Sequence, residues 1–89
     1  MSKFQLLKQT FPISQIERIC DGYVFIKEIS TKNERNLLGI VDNELQKTIM
    51  IGEKYLYRVG IENNKFNTKH ISLSNFKIIR KHFYRYLDE

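Results

Sequence analysis

The sequence predicts an α+β domain: a four- to five-stranded antiparallel sheet, able to curve into a barrel-like form, packed by a C-terminal amphipathic helix, with a short helix near the N-terminus. Three observations predict it. Residues 54–62 alternate, with Tyr55, Tyr57, Val59 and Ile61 on one side and Lys54, Arg58 and Glu62 on the other, the two-residue period of a strand with one buried face. Phe76, Ile79, Phe83, Tyr86 and Leu87 recur at i, i+3, i+7, i+10 and i+11, the stripe of a helix lying on a sheet. Strand-like segments follow one another after a few residues, which suits antiparallel pairing, since parallel strands need crossovers of roughly a dozen residues or more.

Taken in order, Pro12 marks a turn, and Ser14-Gln15-Ile16-Glu17 has capping-box spacing, so a short helix is expected until the Asp21-Gly22 turn signal. Residues 23–30, Tyr-Val-Phe-Ile-Lys-Glu-Ile-Ser, are rich in β-branched and aromatic side chains and read as the first strand. The all-polar residues 31–36 read as a hairpin loop, residues 37–41 as a second strand, 42–44 as a turn, and 48–51 as a third strand ended by Gly52. Residues 54–62 form the fourth strand, whose Tyr/Val/Ile face is expected beneath the C-terminal helix and whose Lys54/Arg58/Glu62 face is expected in water. After an Asn63-Asn64-Lys65 turn, residues 69–73 return as a fifth strand with Ile71 and Leu73 inward and His70 and Ser72 outward. Ser74 is the expected N-cap of the final helix.

Length and composition narrow the classes. Eighty-nine residues amount to one small domain, 1–89, and 42% hydrophobic with 28% charged residues and a single Pro is the balance of a folding chain rather than a disordered one. A core this small gives modest stability. The lone Cys20 excludes an internal disulfide and any paired-cysteine zinc site, and points to a reducing compartment. Polar residues interrupt the first eight positions, so no secretory leader is expected, and no run approaches the ~20 apolar residues of a membrane span. The expected protein is cytoplasmic and does not contact a membrane. Twelve Ile, ten Lys and seven Asn with neither Ala nor Trp reflect A/T-rich codons, as in a low-GC genome or a mobile element such as a phage or plasmid.

Charge is unevenly placed. Residues 1–53 carry seven basic and seven acidic side chains, whereas 54–89 carry eight basic ones against Glu62, Asp88 and Glu89, so the whole net charge of +5 lies there. A one-sided excess is what an anion-binding face requires. At 100° per residue, Lys77, Arg80, Lys81, Tyr84 and Arg85 gather on the arc opposite the apolar stripe, which is equally the pattern of a simple solvated face.

No phosphate loop, dinucleotide fingerprint, zinc-protease or serine-hydrolase motif occurs, and no catalytic, metal or cofactor residue is assigned. His70 and His82 could act as acid and base in a minimal ribonuclease, although an exposed strand position and the flank of a helical stripe explain them without catalysis. Cys20 reads as a small buried hydrophobe rather than a reactive thiol. Tyr55 and Tyr57 could stack on bases, but the chain lacks the glycine-aromatic signature and βαβ-βαβ order of RNA-recognition modules, so they are assigned to the core. The expected function is non-catalytic binding of nucleic acid, RNA ahead of DNA. Lys77, Arg80, Lys81 and Arg85 would contact phosphates and Tyr84 a base, with Lys69, Arg58 and Lys54 as further cations. The alternatives are a protein-protein module that meets an acidic surface, such as a phage- or plasmid-encoded inhibitor of a host defence protein, and, third, the ribonuclease.

Overall fold

The computed structural model describes residues 4–87. It is a mixed α+β arrangement in which a three-stranded antiparallel sheet, an open sheet and not a barrel, is covered on one face by helices, while a two-stranded sheet sits at one end. The main sheet has the order β1 (Gln5–Thr10), β4 (Tyr55–Glu62), β5 (Lys65–Ser72), with β4 central. The small sheet pairs β2 (Arg18–Ile19) with β3 (Thr48–Ile49). Between them run three helices, α1 (Gly22–Ile29), α2 (Lys32–Leu37) and α3 (Asp42–Leu45), and α4 (Leu73–His82) follows β5 directly.

The hairpin β4–β5 is fixed by its turn. Asn63 and Asn64 both adopt positive φ (54° and 61°), the left-handed pair of a type I′ turn, whose twist matches that of the strands. Register then sets Tyr57 opposite His70, Val59 opposite Thr68 and Ile61 opposite Phe66 on one face, and Leu56 opposite Ile71, Arg58 opposite Lys69 and Gly60 opposite Asn67 on the other. β1 adds on the far side of β4, with an irregularity between Leu6 and Lys8 that breaks its alternation.

The helices bury the second of these faces. Leu56 and Ile71 join Phe25, Ile26, Ile40, Leu45, Ile79, Phe83 and Leu87 in the main core. This inverts the expected orientation of the fourth strand. The Tyr57/Val59/Ile61 face is not the one beneath α4, and Arg58, expected in water, is 3% exposed. The reason lies in what surrounds Arg58. Its guanidinium donates to the side chain of Gln9 (2.7 Å), the carbonyl of Leu87 (3.2 Å) and the carbonyl of Tyr86 (2.6 Å), and it lies 4.9 Å from the ring of Phe4 and 5.5 Å from that of Phe25. A buried charge held by several acceptors and two aromatic faces is tolerated where an unpaired one would not be. Gly60 contributes by absence: a Cβ there would collide with the Phe4 ring.

Other elements also depart from expectation. Residues 23–30, expected as a strand, are α1: Gly22, Phe25 and Ile26 are buried and Ile29 packs beside them, a helical spacing that tertiary contact selects over β propensity. α1 approaches α4 so closely that a Cβ on Gly22 would lie 2.7 Å from Asn75 Cβ. The expected loop 31–36 is α2, opened by a capping box in which Thr31 accepts from Glu34 N (3.1 Å) and Glu34 accepts from Thr31 N (3.0 Å). The expected second strand, 37–41, is instead the end of α2 and the turn that follows it, with Gly39 at φ 75°, and the expected turn at 42–44 lies in α3. No helix forms at residues 14–20. There the backbone pairs with the 52–53 turn through Ser14 N to Glu53 O (2.8 Å) and Gly52 N to Ser14 O (2.9 Å), and then enters β2. The third strand shrinks to Thr48–Ile49, and the fifth begins earlier than expected, at Lys65.

Candidate nucleic-acid interface

α4 is capped two residues earlier than expected, by Ser72 and not Ser74. Ser72 is its N-cap, its hydroxyl accepting from Asn75 N (3.3 Å) and donating to Asn75 Oδ1 (2.7 Å), so Ser72 is buried rather than outward. Asn75 is fully buried and donates to the carbonyl of Leu45 (2.9 Å), which ties α4 to α3. The helix ends at His82, because Phe83 leaves helical geometry, and a short 3₁₀ turn, Tyr84–Tyr86, completes the chain toward Leu87. The expected stripe is nevertheless inward: Ile79, Phe83 and Leu87 are buried, and Phe76 and Tyr86 pack against the core.

The arc opposite that stripe faces water. Lys77, Arg80 and Lys81 on α4 are exposed, as are Tyr84 and Arg85 on the 3₁₀ turn. Among the described residues none of these four cations makes an ion pair; Arg85 instead lies 5.1 Å from the Tyr86 ring and donates to its hydroxyl (3.3 Å). Arg80, Lys81 and His82 occupy the last turn, where cations are also favoured by the helix dipole, so part of the pattern serves the helix itself.

The remaining expected cations are not gathered there. Arg58 is buried under the 3₁₀ turn and is corrected from a surface contact to an internal tie. Lys69 faces a cleft of about 360 Å³ beside Phe25, Arg58 and Asn67, and pairs with Glu28 at 3.6 Å. Lys54 is exposed at the start of β4, where its backbone bridges to Ile13. The histidines do not meet: His82 is on α4 beside Phe83, while His70 is on the other face of the sheet, its ring 5.3 Å from Tyr57 and 5.7 Å from Tyr55, with Nδ1 3.4 Å from Asp21 Oδ2. His70 is also less exposed than expected, its backbone N–H donating to the Asp21 carboxylate (2.8 Å). Cys20 is buried, and its sulfur accepts the N–H groups of Gly22 (3.3 Å) and Ser72 (3.2 Å), a joint between α1 and the end of β5. Among the described residues no three His, Cys, Asp or Glu side chains converge as a metal site requires, and no helix is long and apolar enough to cross a membrane.

Sequence reasoning missed the uncovered face of the sheet. Lys8, Tyr57, Val59, Ile61, Phe66, Thr68 and His70 project there by register, and Lys8 Nζ stands 5.9 Å from the Tyr57 ring centre. The alternation of residues 54–62 contained this face but not which side the helices would take. No protein-family model matches the chain, and no curated protein or solved structure matches it.

Proposed function

We propose that this is a small non-catalytic nucleic-acid-binding protein, with single-stranded RNA ahead of DNA as its ligand. The observation that supports it is the outward arc of Lys77, Arg80, Lys81 and Arg85 with Tyr84 among them, four exposed cations without a carboxylate partner among the described residues. Cations on one face neutralise phosphates and release their counterions, and an exposed ring offers a stacking surface for a base. Because such contacts position a strand without reading it, sequence preference should be weak.

The test is a binding titration against salt. Four phosphate contacts on a single strand correspond to a slope of about −3 in log K against log salt, at roughly −0.7 per contact. Lys81→Glu with Arg85→Glu should abolish binding while leaving the melting temperature nearly unchanged. Absence of binding to any RNA or DNA at low salt would end this reading.

One observation favours the second reading, a protein-protein module. Ile13, Ile16, Ile19, Met50 and Ile51 are all exposed around the β2–β3 sheet, Ile19 by 86%, an apolar surface that the nucleic-acid reading does not use.

A further inference from the structure

The uncovered face of the main sheet has a chemistry of its own. Phe66 is 76% exposed within regular hairpin pairing, opposite Ile61 and one pair in from the Asn63-Asn64 turn, and Thr68 on the same face is also exposed. Tyr57 and His70 lie opposite each other two residue pairs further along, about 13 Å away at ~3.3 Å per residue. Val59 and Ile61 provide an apolar floor between them, both partly exposed, because among the described residues α1 and α4 pack on the opposite face. The cation on this face is Lys8, against the Tyr57 ring; the carboxylate that reaches its margin, Asp21, accepts from the His70 backbone N–H and lies 3.4 Å from the His70 ring. By register no Asp or Glu of the described strands points onto this face; Glu62, opposite Lys65 on the helical side, borders the hollow that Phe66 and Thr68 line at the turn end.

We propose that this face is a base-stacking platform for a single nucleic-acid strand, with Phe66 and Tyr57 holding bases and Lys8 a neighbouring phosphate. The proposal rests on the nucleic-acid reading and adds a second surface to it, since the arc on α4 points away from the sheet on the other side of the molecule. Charge complementarity selects the occupant. A polyanion with exposed aromatic faces matches rings and aliphatic side chains flanked by a cation, with no carboxylate pointing among them by register. The basic arc supplies most of the salt-dependent attraction, and the rings of the platform supply stacking that salt screens little.

The experiment is fluorescence anisotropy with a labelled uridine 12-mer at several salt concentrations. The variants are Phe66→Ala, Thr68→Glu and the arc double reversal, each checked by thermal melting. Phe66→Ala should weaken binding by about tenfold, the scale of losing one base stack, with the salt slope unchanged and the fold intact. Thr68→Glu should weaken it comparably through repulsion, and ring-proton signals of Phe66 and Tyr57 should shift on adding the oligomer. If both open-face variants bind as the unaltered protein does while the arc reversal abolishes binding, the platform is refuted and the arc reading survives. If the unaltered protein does not bind the oligomer at low salt, both fall. Should Phe66→Ala instead dissociate a dimer seen by sedimentation, the face is an interface between copies and the platform is overturned.

Discussion

The two faces of β4 differ in what packs on them, although either could have been read as the core. Toward the helices stand Leu56, Arg58 and Gly60, one apolar side chain, a cation and no side chain at all; away from them stand Tyr57, Val59 and Ile61, three aromatic or β-branched residues with strong strand preference. The helical layer took the first set. Leu56 meets Ile71 and Ile79 in the core, Arg58 ties down the C-terminal carbonyls, and Gly60 leaves room for the Phe4 ring. Hydrophobicity therefore did not choose the side. Complementarity with α1, α4, Tyr86 and Leu87 did, and the more apolar face packs at its β2–β3 end, where Tyr55 joins Cys20 and Ile49 with Tyr57 beside them.

The largest expected effect tests that difference with one chemical change made on each side. Phe83→Ala empties a buried site in the helical layer and should cost about 3–5 kcal/mol, a large share of the stability of so small a domain. Phe66→Ala on the open face removes a ring already in water and should stay within about 0.5 kcal/mol. Urea unfolding of both variants decides the matter. Comparable losses would mean that the open face is covered in solution, and the contrast between the faces would be lost.

Gly22→Ala is a smaller probe of the same layer. Its new methyl would lie 2.5 Å from Asn75 Nδ2 and 2.7 Å from Asn75 Cβ, and Asn75 cannot move far, because its amide holds the Leu45 carbonyl and its Oδ1 takes the Ser72 hydroxyl. Overpacking of this kind costs about 1–3 kcal/mol. A helix-favouring Gly→Ala change that stabilises the protein would show that the α1–α4 contact is looser than the structure has it, and with it the grip of the helical layer on the sheet.

Legibility in the sequence followed the same divide. Elements with a strict period and no competing partner were readable: the residues 54–62 strand, its Asn-Asn turn, and the Phe76/Ile79/Phe83/Leu87 stripe. Where tertiary packing opposed local preference the reading failed, as at Phe25 and Ile26, β-formers recruited into α1. β1 was invisible because its irregularity at Leu7 erases alternation. α2 was the avoidable error, since Thr31-Lys32-Asn33-Glu34 carries a capping-box signature as clear as the one at Ser14, and only the former caps a helix. Of the candidate site, the arc on α4 was legible from helical periodicity alone. The burial of Arg58 was not, because its acceptors come from residues 28 and 29 positions away in sequence.

The smallest effect concerns pH, and it should act on one side of the molecule only. Asp42 accepts from Lys32 Nζ at 2.9 Å and from Arg35 Nε at 3.3 Å, and Arg35, itself buried, also donates to the Ser30 carbonyl and hydroxyl at 3.1 Å. The hydrogen bond from Lys32 is the first cause, and that from Arg35 a further one, holding the Asp42 carboxyl below its ordinary value of 3.8. A carboxyl whose pKa is lower folded than unfolded binds its proton more readily in the unfolded chain. Its contribution to stability is therefore complete above the unfolded value, near 3.8, and is lost as pH falls from there through the lower folded value. Asp42→Asn removes this dependence, so its deficit relative to the unaltered protein should be constant at neutral pH and shrink as pH drops below about 4. Urea midpoints measured between pH 7 and pH 2 would show it. Amide exchange sharpens the comparison: in acid, α2 and α3 should lose protection before the β4–β5 hairpin, whose cross-strand bonds do not depend on Asp42. A deficit that stays constant across the whole range would mean that Arg35 and Lys32 do not hold the carboxylate in solution, leaving α2 and α3 without that tie to each other while α3 keeps its hydrogen bond to α4 through Asn75.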